Sequence, residues 1–203
     1  MDEKELGRFG IRIVKSSIAM NEGGAVRTAS KIGYPVALKI ISPEIVHKSD
    51  KGCVVLDIAD EKGLRSAYKE IIGRTSGFKV EGMLVQRMAR KGVELIVGGK
   101  KDPQFGQVIV FGLGGLYVEV LRDFSMRVCP ITKSDGAEMI REIRGYPILA
   151  GVRGKKPVNE EKLIDLLVNV SRFLVKKNPK EFDLNPVIAD GEGYDIVDVR
   201  IVW

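Results

Sequence analysis

Between Met83 and Phe111 three runs with strand character follow one another closely, at 83–88, 93–98 and 108–111, and a fourth lies at 126–130. Strands joined by short connections pair antiparallel, because a parallel pair needs a crossover of about a dozen residues or more. The chain closes in the same way, with strand runs at about 187–189 and 194–202 flanking Asp190-Gly191-Glu192-Gly193, a hairpin turn. Two further strands are expected at 36–41 and 53–58. Helices are expected at 2–9, where Asp2 is placed to cap, and at 22–32, where Ala25, Val26, Ala29 and Ile32 recur at helical spacing before Gly33. Others run from a cap at Asp60 to about 72, at 135–143 after Thr132, and at 160–176 after Asn159. Helices mixed with antiparallel hairpins predict an α+β fold rather than a doubly wound parallel sheet.

With 203 residues the chain can build one sizeable domain, or two small lobes sharing a cleft. Its composition, 44% hydrophobic and 30% charged, argues against disorder. The net charge of +6 is spread among interspersed acids and bases with no basic arm, so a phosphate-rich small ligand is expected in place of nucleic acid. Cys53 and Cys129 lie outside any C-x-x-C pattern, which points to a reduced setting without a structural metal. No signal peptide is read in MDEKELGRFG. The longest uncharged apolar run, 108–118, contains three glycines and falls short of the roughly 20 residues that cross a membrane, so no membrane role is expected. High charge and only three glutamines hint at a thermophilic source.

Four places carry chemistry. Lys39 stands between Leu38 and Ile40 in an apolar strand run, where its charge must either face water at a sheet edge or meet an anion. The loop Ser42-Pro43-Glu44-Ile45-Val46-His47-Lys48-Ser49-Asp50-Lys51-Gly52 offers lysines, hydroxyls and a glycine to phosphate oxygens. It also holds the chain's only histidine, either a nucleophile for a phosphoryl group or an incidental surface residue. Phe111-Gly112-Leu113-Gly114-Gly115 is no dinucleotide fingerprint, since Tyr117 replaces the third glycine and Tyr117 to Val120 reads as further strand. Its glycines mark close backbone approach to a ligand or to another strand. Asp183-Leu184-Asn185-Pro186 is followed by Asp195 and Asp198. The hairpin could return Asp198 beside Asn185, as an oxygen pair for Mg²⁺ or as two solvated turn residues.

In order along the chain stand YPVALK, SPEIVHKSDKG, MLVQRM, GVELIVG, DPQFGQVIVFGLGG, YVEV, FDLNP and IVDVR. Over about residues 6–203 this series resembles the ATP-grasp β subunit of ADP-forming acetyl-CoA (acyl-CoA) synthetase, a relative of succinyl-CoA synthetase. The resemblance implies a single ATP-grasp domain over 1–203, of two α+β subdomains with the nucleotide in the cleft between them. One, about 1–82, would carry the phosphate lysine and flap loop; the other, about 83–203, the adenine hinge and metal site.

By that resemblance Lys39 holds nucleotide phosphates, and Gly52 belongs to the flap over them, with Cys53 where many relatives have a second glycine. Gln86, Arg87 and Met88 form the hinge whose backbone presents a donor and an acceptor to adenine, and Glu94 lies near the ribose hydroxyls. Asn185 and Asp198 bind Mg²⁺, and Arg127 and Arg200 face phosphate. His47 matches a second histidine of a phosphoryl relay, making it catalytic together with Lys39. The implied activity is transfer of phosphate from a phosphohistidine to ADP, giving ATP, reversibly, within a cytoplasmic ADP-forming acyl-CoA ligase whose commonest acid is acetate. The implied partner is a CoA-binding α subunit, in an α2β2 assembly or similar. Two other readings stay open: a stand-alone ATP-grasp carboxylate ligase, which needs no histidine, and a non-catalytic nucleotide-binding regulatory module.

Overall fold

The computed structural model describes residues 3–45, 52–115, 123–152, 154 and 156–203. The expected cap at Asp2 and the expected strand at 117–120 lie outside them. The first elements are α1 (Glu3–Arg8), β1 (Ser16–Ala19), α2 (Glu22–Ile32), β2 (Val36–Ile41), β3 (Val54–Ile58), α3 (Glu61–Arg74) and β4 (Gly82–Arg87). There follow β5 (Val93–Asp102), β6 (Gly106–Leu113), β7 (Phe124–Val128), α4 (Lys133–Glu142), α5 (Tyr146–Leu149) and α6 (Glu160–Lys177). The chain ends with β8 (Glu181–Ala189), β9 (Tyr194–Ile196) and β10 (Val199–Val202). Val14–Met88 form one compact unit; Met1–Ile13 and Ala89–Trp203 form another.

In the 14–88 unit the strands pair antiparallel in the order β1-β4-β2-β3. Alternation along β2 sends Val36, Leu38 and Ile40 into a core with Ala25, Ala29, Leu64 and Ile71 from α2 and α3. The helices start where a short polar side chain satisfies orphan amides: Asn21 Oδ1 accepts from the Gly24 amide at 2.8 Å, and Asp60 Oδ1 from that of Gly63 at 2.7 Å. Gly33, with φ of 92°, ends α2 by donating to the Ala29 carbonyl.

The second unit is built on a six-stranded sheet, ordered β10-β8-β5-β6-β7 with β9 also against β8, all antiparallel. One face is covered by α1, α4 and α6 through Leu6, Met139, Ile140, Leu166, Phe173 and Leu174. Phe173 makes an edge contact with Phe9 at 5.3 Å between centroids and a tilted one with Phe182 at 5.0 Å, which fastens the N-terminal segment to this unit. Thr132 and Asp135 form a reciprocal capping box on α4, and Asn159 caps α6.

Strand β8 begins at Glu181, six residues earlier than the apolar run at 187–189 indicates, because Phe182 and Leu184 point inward while Asp183 points out. The expected strand at 194–202 is two strands. β8 carries an extra residue around Asn185–Pro186: Leu95 pairs with Val187 but Val97 with Leu184. Pro186 has no amide to extend the ladder, so residues 197 and 198 jog between β9 and β10, with the Val197 amide donating to the Pro186 carbonyl. β7 stops at Val128 instead of 130 for the same reason, Pro130 having no donor. Two elements of four residues each, β1 and α5, are too short to show a period in the sequence.

Candidate functional site

Lys39 lies on β2, an interior strand, in register with Leu84 of β4 and Val54 of β3, and Leu84 pairs in turn with Ile18 of β1. The edge-strand reading of this lysine therefore fails. Leu38 and Ile40 face the helices, so Lys39 projects from the opposite face, half-buried in an apolar cross-strand row. An ammonium so placed is partly stripped of water and favours an anion.

One step along the same face, Gln86 is buried and in register with Ala37 and Ser16. Arg87 is exposed and donates its amide to the Lys15 carbonyl at 2.9 Å; the Met88 amide donates to the Pro35 carbonyl at 3.2 Å. Met88 Sδ also accepts from the Asp57 amide at 3.4 Å. Both amides are therefore engaged within the unit, which holds the segment beside Lys39's row. Gly52 adopts a φ of 61° and its carbonyl accepts from Arg74 Nη1 at 3.0 Å. His47, and the rest of 46–51, lie outside the described residues.

In the other unit, alternation along β5 buries Leu95 and Val97 and turns exposed Glu94 and half-buried Ile96 and Gly98 to the face away from the helices. Gly98 pairs with Asp183, so Glu94, Asp183 and Asn185 share that face. The glycines of Phe111–Gly115 serve this strand and its neighbour. The Gly114 amide donates to the Glu94 carbonyl at 2.7 Å. A Cβ on Gly115, whose φ is 61°, would lie 2.6 Å from Glu94 Oε2, and one on Gly112 would lie 2.6 Å from the Asp123 carbonyl. Of the two readings left open by the sequence, these contacts fit close approach to another strand.

The jog at β8 brings Asn185 and Asp198 together: the Asn185 amide donates to the Asp198 carbonyl at 3.2 Å, and Asp198 Oδ1 accepts from the Val199 amide at 2.9 Å. Asp183 belongs to the same group. Burial, and then the Asp198 charge, hold its carboxyl above the usual carboxylate range, while Arg200 and a hydrogen bond with Asn185 pull the other way. Sequence reasoning omitted Asp183 as a ligand, although its place two residues before Asn185 on an extended strand was the available signal. Two mutually repelling carboxylates beside an amide are a hard-oxygen set that a divalent cation would relieve, so these residues fit Mg²⁺. Among the described residues no three His, Cys, Asp or Glu side chains gather as a complete metal cluster.

Other candidates go elsewhere. Asp195 is tied to Arg90. Arg127 is held by Glu142 at 2.9 and 2.6 Å, with Glu138 at 3.7 Å, so its guanidinium is paired with carboxylates of α4. Arg200 is exposed, in register with Asp183. Among the described residues, no helix is long and apolar enough to cross a membrane. Lys39, Gly52, Gln86, Arg87 and Met88 belong to the 14–88 unit, and Glu94, Asn185 and Asp198 to the other.

The family model for the ATP-grasp domain matches residues 3–202. The chain is 45% identical over 199 residues to the β subunit of ADP-forming acetate–CoA ligase I of Pyrococcus furiosus, covering 96% of this chain and 86% of that one. It is 48% identical over 202 residues to ADP-forming acetate–CoA ligase I of Archaeoglobus fulgidus, covering 97% of this chain but 29% of that longer one. Among solved structures, it is similar to the dinucleotide-forming acetyl-coenzyme A synthetase 1 of Ca. Korarchaeum cryptofilum in complex with coenzyme A and Mg-AMPPCP, its phosphohistidine segment pointing towards the nucleotide binding site. The TM-score is 0.86 at 43% identity, over 98% of this chain and 89% of that one.

Proposed function

This chain belongs to the ATP-grasp domain family and, within it, to the β subunits of ADP-forming acetate–CoA ligases, and from that premise we propose how its residues work. It is the nucleotide-binding phosphotransfer subunit of an ADP-forming acyl-CoA ligase, passing a phosphoryl group from a phosphohistidine to ADP and back. The observation that carries this reading is the Asp183–Asn185–Asp198 group on a bulged strand, in a chain that also places a half-buried lysine on an interior strand.

Phosphoryl transfer asks the protein for alignment of donor and acceptor and for positive charge around the moving group. Lys39 supplies a cation to the nucleotide phosphates, strengthened by its apolar neighbours. Asn185 and Asp198, with Asp183 beside them, would hold Mg²⁺, which would neutralise negative charge on the phosphates. Gln86, Arg87 and Met88 present the strand end that adenine lies against, and Glu94 takes the ribose hydroxyls. Gly52 belongs to the flap that closes over the phosphates, and His47 is a second phosphoryl-accepting histidine in the relay.

A CoA-binding α partner supplies the acyl chemistry. The match to 86% of a separate β subunit but only 29% of a longer ligase supports such a division of labour. We place the complex in the cytoplasm, as an α2β2 or similar assembly, with acetate as the acid. The test mixes the purified chain with an α subunit, ³²P-labelled acyl phosphate, ADP and Mg²⁺. Labelled ATP formed only when both proteins are present supports the reading, and thioester synthesis by the pure chain overturns it. A His47→Ala variant with full activity would favour a stand-alone ligase.

A further inference from the structure

The chain leaving Met88 is fastened by a clasp that none of these roles uses. The Arg90 amide donates to Asp195 Oδ2 at 2.8 Å, and Arg90 Nη1 donates to Asp190 Oδ1 at 2.9 Å. Arg90 Nε stands 3.3 Å from Asp195 Oδ2, within ion-pair range but outside hydrogen-bond geometry. Asp190 opens the β8–β9 turn, where its Oδ1 also accepts from the amides of Glu192 and Gly193 at 2.8 and 2.9 Å. Residue 90 is thus tied through both main chain and side chain to the hairpin that follows Asp183 and Asn185 on β8. The Asp195 carboxylate is only 7% exposed, so this is no loose surface pair, and removing one partner strands a shielded charge.

Just upstream, the amides of Arg87 and Met88 are bound to the carbonyls of Lys15 and Pro35. Ala89 alone separates these ties from the clasp. The main chain that leaves residues 86–88 is thus anchored again two residues on, at residue 90.

We propose that the Arg90–Asp190–Asp195 clasp is a positioning device for the adenine end of the nucleotide, acting through the backbone of residues 86–88. The inference rests on the adenine assignment made above. Arg90 touches no nucleotide. Its loss loosens the segment the base lies against and leaves the phosphate contacts of Lys39 in place. The clasp therefore acts on affinity for adenine nucleotide, and in turnover on the KM for ADP more than on kcat.

The experiment is calorimetric titration of the full chain with Mg-ADP and with Mg-tripolyphosphate, which has phosphates but no base, for wild type, Arg90→Ala, Arg90→Lys and Asp195→Asn. The expected result for Arg90→Ala is ADP affinity lowered about tenfold with tripolyphosphate within about twofold, lysine recovering part of the loss. Asp195→Asn should match it, and the Arg90→Ala/Asp195→Asn double variant should be no worse than either single, as for residues acting as one unit. Wild-type ADP affinity in Arg90→Ala would overturn the proposal. So would equal losses for both ligands, which is the mark of general destabilisation. A wild-type chain that binds tripolyphosphate but not ADP would overturn the adenine assignment itself, and the clasp's role with it.

Discussion

Replacing Asp183 by Asn isolates the electrostatics of the candidate metal group. The substitution keeps the side chain's shape, exchanges one acceptor oxygen for an NH₂ donor, and removes one of two like charges. In the folded protein, burial and then the Asp198 charge raise the Asp183 pKa above its unfolded value. Between those two values the folded state binds the extra proton, so stability falls as pH rises through that window and the penalty is fully present above it. Like charges this close repel by a few kcal/mol at most in a partly solvated site. Arg200 and the Asn185 hydrogen bond offset much of that. A net gain of about 1 kcal/mol for Asp183→Asn is expected, which for a chain of this size is about 2–4 °C in Tm. Thermal melts without metal should show the variant more stable at pH 8 and level with wild type at pH 3. Adding Mg²⁺ and ADP should reverse the order, because ligand binding stabilises in proportion to affinity and the variant has lost an oxygen anion. A variant less stable than wild type at pH 8 without metal, or one stabilised equally by Mg-ADP, would refute this account.

Lys39→Ala is expected to abolish phosphoryl transfer while shifting Tm by no more than about 2 °C, since the side chain lies outside the core; transfer assays and melts measure both. Asn185→Ala and Asp198→Ala should each raise the Mg²⁺ concentration needed for half-maximal transfer by about tenfold or more, read from metal titrations at saturating ADP. Phe173→Ala, which removes the ring between Phe9 and Phe182, should cost about 3–5 kcal/mol in denaturant unfolding and leave metal dependence unchanged.

The helices were legible because their signals are local. Asn21, Asp60, Thr132 with Asp135, and Asn159 each satisfy amides within three residues, so a short window contains the cause. Lys39 was legible as a residue type but not as a position, because whether β2 is interior depends on β4, more than 40 residues on. Residues 181–186 read as a loop because Asp and Pro are poor strand formers. Pairing on both sides overrides that preference, and the bulge at Asn185–Pro186 is where the candidate ligands collect. The pairing of Arg90 with Asp195 spans 105 positions and follows no period, which is why nothing in the sequence announced it. The glycines of Phe111–Gly115 were correctly read as marks of close approach, but that the neighbour is Glu94 could come only from the folded sheet.

The most direct test of the central claim gives this chain a ³²P-phosphohistidine on its CoA-binding partner, with ADP and Mg²⁺, and follows the label. Label should move to ATP with the wild-type chain and remain on the partner with Lys39→Ala, and with Asp198→Ala when Mg²⁺ is held at the concentration that half-saturates the wild type. Equal labelled ATP from wild type and both variants would contradict the claim that this lysine and this carboxylate hold the nucleotide's phosphates.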